Sequence, residues 1–408
     1  KVFINQFVRF SRAFPCACIL DSSGHNDKYS RFDFIAGLGI QEQIWVESTN
    51  VFDFLKDFHQ THQEWMFGFL SYDIKNQLEN LSSSNPDRIN FPLAHFFIPQ
   101  ILIYQRNNEL VIGIHHNAWG MKSHEGIYNS ILSFSGNNTL FVNKPDIRHS
   151  LTKEEYFKKF ASVKDHIQKG DIYEMNFCME FFAENCFIDP FESYLRLNDI
   201  SPAPFSAFYR LPEHYLLCSS PERFIQKNGD TIISQPIKGT ARRGTSPEKD
   251  EEIKTELFNN LKERSENVMI VDLVRNDLSH TAVKDSVKID ELFGIYSFAQ
   301  VHQMVSTITS KIKSGIHFSD VIRHAFPMGS MTGAPKIRAM QIIEEYEITK
   351  RGLYSGSVGY ISPEGDFDFN VVIRSIQYNQ SLQSLSFMTG SAITSLANAG
   401  DEYQECLL

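Results

Sequence analysis

Short apolar runs separated by polar and turn residues recur along the first 150 residues. The runs 65–70 and 101–104 are examples, and apolar runs of this length predict short strands joined by turns. The polar stretch 135–138 and the segment that follows it to His149 predict a boundary, because small polar residues favour loops. We therefore expect a β-rich N-terminal region over residues 1–148 and a second region over residues 149–408.

Apolar residues recur with a helical period in the segment that follows this boundary. Thr152 and Glu155 are spaced as in a capping box, in which each side chain accepts a hydrogen bond from the helix N-terminus. They predict a helix whose apolar residues recur every three to four positions and which ends at Gly170. In the next run, 172–181, apolar and polar residues alternate, which predicts a strand with Glu174 on its polar face.

Proline marks two further helix starts, at Asp189-Pro190 and Ser246-Pro247, since it favours the first helical position. The second helix is expected to be long and to extend to Leu273. In the C-terminal third, turn residues predict an antiparallel meander of three strands over 356–362, 367–376 and 385–393. Helices mixed with neighbouring antiparallel strands indicate an α+β fold.

The chain has 408 residues and a formal net charge of −10, which argues against binding of nucleic acid or of anionic membranes. No long uncharged apolar run predicts a membrane span. The six cysteines form no CxxC pair and no disulfide framework, so a reducing, cytoplasmic environment is expected. With this net charge, an anionic substrate must be held by local lysine and arginine side chains.

Lys238 lies in the run SQPIKGTARRG, residues 234–244, directly after a short β-type run. A lysine is nucleophilic only as the neutral amine, which requires a pKa depressed by burial or by nearby positive charge. Arg242 and Arg243 are predicted to supply that charge. The alternative is a solvated lysine in a surface turn, which is the usual state of lysine side chains.

Two pairs of glutamates share a spacing of three residues, Glu263 with Glu266 and Glu402 with Glu405. This spacing places each pair on one face of a helix. Four converging carboxylates suit a hard divalent cation such as Mg²⁺, which prefers oxygen ligands. The alternative is a solvated helix face.

Glu222 follows a strand-like run and becomes a general acid if burial raises its pKa. The alternative for this side chain is an ion pair with Arg223. Further along the chain, the small residues of 329–336 leave backbone N–H groups free to bind an anion. The spacing within that run differs from that of a P-loop, so nucleotide binding is excluded.

Arg374 is predicted to face the same way as Asn370 on the second meander strand, with Tyr360 and Gly390 on the neighbouring strands. An arginine fork and a tyrosine hydroxyl on one sheet face would bind a carboxylate, the arginine with two hydrogen bonds. A cross-strand ion pair is the alternative.

Taken together, these motifs resemble those of the chorismate-utilising enzymes, and within that family those of the branch formed by component I of para-aminobenzoate (aminodeoxychorismate) synthase. The resemblance covers nearly the whole chain and is strongest from Gly170 to Glu405. It implies the fold of anthranilate synthase component I, with large antiparallel sheets in a sandwich-like core flanked by helices. The motifs, in chain order, are GDIYEMN, SSPERF, PIKGTARRG, KERSENVMIVDLVRND, FPMGSMTGAPKIRAM, GSVGYIS, VVIRS and DEYQE.

The resemblance implies conversion of chorismate and ammonia to 4-amino-4-deoxychorismate, for para-aminobenzoate and folate synthesis. In this branch Lys238 would attack ring carbon C2 while the C4 hydroxyl departs, protonated by Glu222. Ammonia would then add at C4 and displace the lysine, so that one difficult substitution becomes two easier steps. The sister anthranilate synthases carry a small residue at the position of Lys238.

The resemblance also assigns the cofactor and the substrate contacts. Glu266 and Glu405 would bind Mg²⁺, with Glu263 and Glu402 acting mainly through water molecules. The residues implied to hold the enolpyruvyl carboxylate are Tyr360, Arg374 and the backbone at Gly390. The other substrate-binding positions implied are Thr240, Ser330 and Lys336.

Two segments, LDSSGHNDKYSRFDF and PFSAF, resemble those that form a tryptophan pocket in this family. A regulatory or structural tryptophan site is therefore expected in the N-terminal region. The matching positions are Ser22, Tyr29, Ser30, Arg31, Phe32, Pro204, Phe205 and Ser206.

No motif of a glutaminase is present, so a separate glutamine amidotransferase subunit (component II) is expected to deliver ammonia. Glu174 stands where glutamine is usual in the amine-adding branches, and Gln303 where anthranilate synthases carry a histidine associated with catalysis. Together with Lys238, Gln303 disfavours the first alternative, an anthranilate synthase component I. The second alternative is a non-catalytic subunit that binds the glutaminase or senses tryptophan.

Overall fold

A computed structural model describes residues 2–48, 50–118, 123–134 and 142–407. Within these ranges the strands β1 to β19 are Ala17–Asp21, Phe34–Val46, Met66–Leu70, Ala94–Arg106, Glu109–Ile114, Arg148–His149, Glu174–Ala183, Phe205–Arg210, His214–Ser220, Arg223–Asn228, Thr231–Gln235, Ile237–Arg242, Lys288–Ser297, Val301–Lys311, Gly333–Ala334, Ser357–Ile361, Phe367–Asn370, Ser375–Asn379 and Ser384–Thr394. The helices α1 to α11 are Val2–Phe10, Val51–His62, Lys75–Leu78, His124–Leu132, Lys153–Lys169, Pro190–Ile200, Pro247–Asn259, Leu261–Ser279, Phe318–Ala325, Lys336–Tyr346 and Ala399–Leu407.

The described strands form one continuous network in which every pair is antiparallel. One half of it runs β7–β19–β18–β9–β8–β1–β2–β4–β5. The other half continues from β4 through β3–β16–β17–β10–β11–β14–β13. The thirteen-residue strands β2 and β4 belong to both halves, and their length joins the halves.

Alternation along each strand divides its side chains between two apolar layers. In β3, Phe67 and Phe69 point into a core shared with β1, β8, β9 and β16, whereas Met66 and Leu70 face a core shared with the helices α2, α8 and α9. Full burial of such a side chain contributes roughly 1.5–3 kcal/mol. The predicted α+β fold, with antiparallel sheets in a sandwich-like core flanked by helices, is confirmed.

The predicted helix starts are present. Thr152 and Glu155 exchange the two hydrogen bonds of a capping box, and Gly170 ends the helix at φ 81°. The long helix expected after Ser246, however, is two helices that separate at Asn260. The Asn260 side chain accepts hydrogen bonds from the first N–H groups of α8, so the chain changes direction just before Glu263.

The predicted C-terminal meander is wrong in its middle strand. Residues 367–376 form two strands, β17 and β18, which pair with different halves of the network. Between them Arg374 adopts φ 48°, the left-handed region that a strand residue avoids. The chain therefore crosses from one half to the other at Arg374.

Strands from both predicted regions share the same network. β1 pairs with β8, and β3 pairs with β16, so residues 1–148 do not form a separate sheet. The boundary stretch 135–138 lies outside the described residues. All six cysteines are free thiols. Among the described helices, none combines the length and the apolar composition that crossing a bilayer requires.

Candidate active site

A bulge in β12 presents Lys238. Both β11 and β12 pair with β14, and the register of β12 shifts between Ile237 and Thr240. Gly239 makes this shift at φ 100°, which favours glycine. A Cβ atom added there would lie 3.2 Å from Glu263 Oε2, so the strand and the acidic helix α8 approach closely at this point.

The Lys238 amine is buried against a carboxylate. The residue is 9% exposed, and its Nζ lies 2.8 Å from Oε1 of Glu174, which is 1% exposed. Burial alone would lower the pKa of Lys238, but the charges of Glu174, Glu266 and Glu222 outweigh it and raise this pKa. The amine is therefore held as an ammonium ion, and the alternative of a solvated turn lysine is excluded.

The predicted depression of the Lys238 pKa by neighbouring arginines is wrong. Arg242 and Arg243 are exposed, and the Arg243 guanidinium pairs with Asp250 at 2.7 Å while donating to the Phe298 carbonyl. The charges that act on Lys238 are instead those of carboxylates, which come from β7, from α8 and from the segment between β9 and β10.

Glu222, between β9 and β10, has the properties of a general acid. It is 3% exposed, and Ser330 Oγ donates a hydrogen bond of 2.6 Å to its Oε1. Burial raises the pKa of Glu222 to about 7, against the opposing effects of Ser330 and Lys238. Arg223 pairs with Asp368 instead, so the alternative ion pair with Glu222 is absent. The carboxyl can hold a proton at neutral pH.

The four predicted metal ligands come from α8 and α11 and interact electrostatically with one another. Burial raises the pKa of Glu266 to about 7 and also raises that of Glu263. Glu266 Oε1 accepts no hydrogen bond from the described residues, which is costly for a buried carboxylate. Oxygen donors with an unsatisfied buried atom fit a hard divalent cation.

The oxygens of the four glutamates lie further apart than the ligands of a single coordination sphere. Among the described residues, only Glu64, His115 and His116 place three candidate ligand atoms within 4.8 Å of one another. A lysine lies between the acidic side chains instead, since Lys262 Nζ is 3.1 Å from Glu402 Oε1.

Arg374 and Gly390 have the features of an anion clamp. The Arg374 guanidinium is half-buried, and burial lowers its pKa; it forms no ion pair with any described residue. Gly390 pairs with Cys178, and a Cβ atom there would lie 2.5 Å from Cys178 Sγ and 3.2 Å from Asn176 Nδ2. Only glycine fits, because the Cys178 and Asn176 side chains pack directly against the backbone of β19 at this position.

Tyr360, predicted as the third member of the clamp, lies elsewhere. Its ring packs on Phe32 and Trp65 and lines a second cavity. Sequence reasoning missed Tyr354, which is 4% exposed and hydrogen-bonds the Cys178 thiol beside Gly390. Both tyrosines belong to the run GLYSGSVGY, and only the turn before β16 distinguishes them.

Of the remaining predicted substrate ligands, Ser330 faces Glu222, and Thr240 lies exposed on β12 opposite Gln303. The role of Lys336 as a substrate ligand stays a prediction. Its Nζ is 2.7 Å from Asp277 Oδ2 and also donates to a carbonyl, so it anchors α10 to α8.

The second cavity, of about 50 Å³, is lined by most of the predicted tryptophan positions. It is small beside the roughly 300–1,000 Å³ of a typical ligand pocket. Arg31 on its wall pairs with Asp366. Tyr29 is not on the wall, and its carbonyl oxygen accepts a hydrogen bond from the Gln226 side chain. A tryptophan site here stays a prediction. The predicted residues on the wall are Ser22, Ser30, Arg31, Phe32, Pro204, Phe205 and Ser206.

Comparison with known proteins gives consistent matches. Residues 15–408 match the model of the chorismate binding enzyme family. Aminodeoxychorismate synthase component 1 of Escherichia coli (strain K12) is 35% identical over 96% of this chain and 91% of its own length. Its namesake from Bacillus subtilis (strain 168) is 33% identical over 76% of this chain and 68% of its own length. The structure of anthranilate synthase component I from Streptococcus pneumoniae TIGR4 aligns with a TM-score of 0.79 at 25% identity, covering 94% of this chain and 92% of its own.

Proposed function

The chain belongs to the family of chorismate-binding enzymes, and from this premise we propose that it is component I of an aminodeoxychorismate synthase. It converts chorismate and ammonia to 4-amino-4-deoxychorismate through a covalent intermediate on Lys238. The observation that carries the proposal is the buried Lys238 amine, which interacts with Glu174, Glu222 and Glu266. The printed names of the Escherichia coli and Bacillus subtilis relatives support the same activity.

The first step requires a neutral amine, because an ammonium ion has no lone pair to donate. Glu174 Oε1 is the nearest acceptor, at 2.8 Å, and its Oε2 accepts no hydrogen bond from the described residues. Transfer of one proton from Lys238 to Glu174 converts the ion pair into two neutral groups.

Bond changes then follow in two stages. The Lys238 nitrogen bonds to C2, the ring double bonds shift, and the C4–O bond breaks as Glu222 gives its proton to the departing hydroxyl, which leaves as water. Ammonia next bonds to C4, the double bonds shift back, the C2–N bond breaks, and the ammonium group formed at C4 returns one proton to Glu222. Lys238 leaves as a neutral amine and recovers its proton from Glu174.

The two carboxylates of the substrate need separate partners in this acidic protein. Arg374, which forms no ion pair with a described residue, would bind the enolpyruvyl carboxylate together with Tyr354 and the Gly390 backbone, both of which adjoin Cys178. Glu263, Glu266, Glu402 and Glu405 would hold Mg²⁺. When bound, the ion supplies positive charge for the ring carboxylate.

The designation component I, carried by the relatives, implies a component II, and we propose a glutaminase that supplies ammonia. Three of the most exposed large apolar side chains adjoin the elements of the site. They are Tyr173 next to Glu174, Leu261 next to Lys262, and Leu396 between β19 and α11. Exposed apolar side chains favour burial by a partner.

Mass spectrometry of the intact protein tests the proposal. Chorismate and Mg²⁺ without ammonia are expected to add the mass of chorismate less one water to the wild type but not to Lys238→Met. Ammonium should then discharge the adduct as 4-amino-4-deoxychorismate. Absence of the adduct together with anthranilate as product would instead establish the alternative, an anthranilate synthase. Chorismate binding with no turnover would establish the non-catalytic subunit.

A further inference from the structure

A lysine contacts two of the four glutamates of the proposed metal site. Lys262 lies in the first turn of α8, next to Glu263, and its Nζ is 3.1 Å from Glu402 Oε1 and 3.9 Å from Glu266 Oε1. Glu402 comes from α11, 140 residues further along the chain. One ammonium group therefore joins the two helices that carry the metal ligands.

The lysine and the acids differ in how freely they can move. The side chains of Glu266 and Glu402 are 6% and 3% exposed, whereas that of Lys262 is 33% exposed. A long side chain that is one-third exposed can turn its ammonium into solvent while its methylene groups stay in contact. The buried carboxylates have no such freedom, so the lysine is the component that can leave.

The negative charge of the glutamates explains why the Lys262 ammonium lies beside them. Burial of several carboxylates close together is unfavourable unless a cation compensates them. Burial alone would lower the pKa of Lys262, but the charges of Glu402, Glu266 and Glu263 outweigh it and raise this pKa. The ammonium is therefore kept charged by the same oxygens that would coordinate a divalent ion.

We propose that Lys262 is an internal counter-ion of the four-glutamate cluster, which neutralises the cluster in the absence of metal and is displaced when a divalent cation binds. The inference rests on the metal site of the proposed function. A divalent cation bound by the same carboxylates would repel the ammonium, so metal binding is expected to break the Lys262–Glu402 contact. The lysine thus lowers metal affinity while stabilising the metal-free protein.

Calorimetric titration of the full chain with MgCl₂, without chorismate, tests the inference. In Lys262→Met the dissociation constant of Mg²⁺ is expected to be about tenfold lower than in the wild type, because no ion pair must be broken. Lys254→Met is the matched control, since Lys254 is 31% exposed and pairs with Glu251 at 3.0 Å on α7. Its Mg²⁺ affinity should equal that of the wild type.

Thermal unfolding provides a second readout. Metal-free Lys262→Met should melt below the wild type, and added Mg²⁺ should raise its melting temperature by a larger amount. Lys262→Gln serves as a second variant if Lys262→Met does not fold. Unchanged or weaker Mg²⁺ binding in the variants, beside measurable binding in the wild type, would overturn the counter-ion role alone. Absence of Mg²⁺ binding in the wild type would overturn the metal site and, with it, this inference.

Discussion

Lys238 Nζ and Glu174 Oε1 lie 2.8 Å apart, and both side chains are buried. The proposed nucleophile is thus at rest the cation of an internal ion pair. Its local sequence, with two arginines close behind it, predicts the opposite state, a neutral amine. The difference arises because the carboxylates come from β7 and α8 and are brought together by the fold.

Glu174→Gln is expected to shift the reactivity of Lys238 to lower pH. Glutamine can keep the hydrogen bond to Lys238 but carries no negative charge. Because the charge of Glu174 no longer opposes the effect of burial, the pKa of Lys238 falls. A larger neutral fraction at a given pH should speed carbamylation of Lys238 by cyanate, followed by peptide mass spectrometry. Lys75, buried against Glu344, is the internal control. An unchanged pH dependence would show that Glu174 does not hold the proton.

Glu222→Gln is expected to slow formation of the covalent adduct by about 100-fold or more, the usual contribution of a general acid. In the wild type, Glu222 must be protonated to act, and its pKa is about 7. The adduct rate should therefore fall as the pH rises through about 7, whereas the residual rate of Glu222→Gln should lack this fall. Single-turnover measurements with chorismate, quenched between about pH 6 and about 8.5, decide the point. Equal profiles in the two proteins would assign the acid to another group.

The matched pair Tyr354→Phe and Tyr360→Phe tests which of the two tyrosine hydroxyls contacts chorismate. Loss of the Tyr354 hydroxyl removes a hydrogen bond to a charged carboxylate, so the KM for chorismate should rise about tenfold. Tyr360 lines the second cavity, and its hydroxyl should be dispensable for chorismate. Steady-state kinetics with ammonium measures both. A higher KM in Tyr360→Phe, with Tyr354→Phe unaffected, would instead show that Tyr360 binds the carboxylate.

Local signals predicted local structure well in this chain. The capping box at Thr152 and the helix end at Gly170 depend only on nearby residues, and both are present. The strand expected over residues 367–376 instead breaks before Arg374, because β17 and β18 pair with strands from opposite halves of the network. Such pairing between strands distant in sequence cannot be predicted from the local pattern of residues.

In the candidate site, too, some features could be predicted from local sequence and others depend on the fold. Its motifs identified Lys238, Glu222 and the glutamate pairs, since their spacing within a strand, turn or helix is local. Spacing could not show that Lys336 is engaged by Asp277, from a different helix. Nor could it choose between Tyr354 and Tyr360, since the choice depends on what each side chain contacts in the fold: Tyr354 adjoins Cys178, whereas Tyr360 lines the second cavity.

Glu266→Gln is expected to stabilise the metal-free protein relative to the wild type, and more so at about pH 8 than at about pH 5. Burial raises the pKa of Glu266 to about 7, while a carboxyl in the unfolded chain has a pKa of about 4.3. Between these values the folded protein binds more protons than the unfolded chain. The contribution of Glu266 to stability therefore falls as the pH rises through this window, and it is largely lost above about 7.

Glutamine has no proton to lose, so the stability difference between variant and wild type should grow by roughly 1–3 kcal/mol from about pH 5 to about pH 8. Urea unfolding of both proteins in the presence of a chelator gives this difference, in which the other titrating groups cancel. Glu251→Gln, in an exposed ion pair on α7, is the control and should show no such trend. A difference that stays constant with pH would mean that Glu266 is already ionised in the metal-free site.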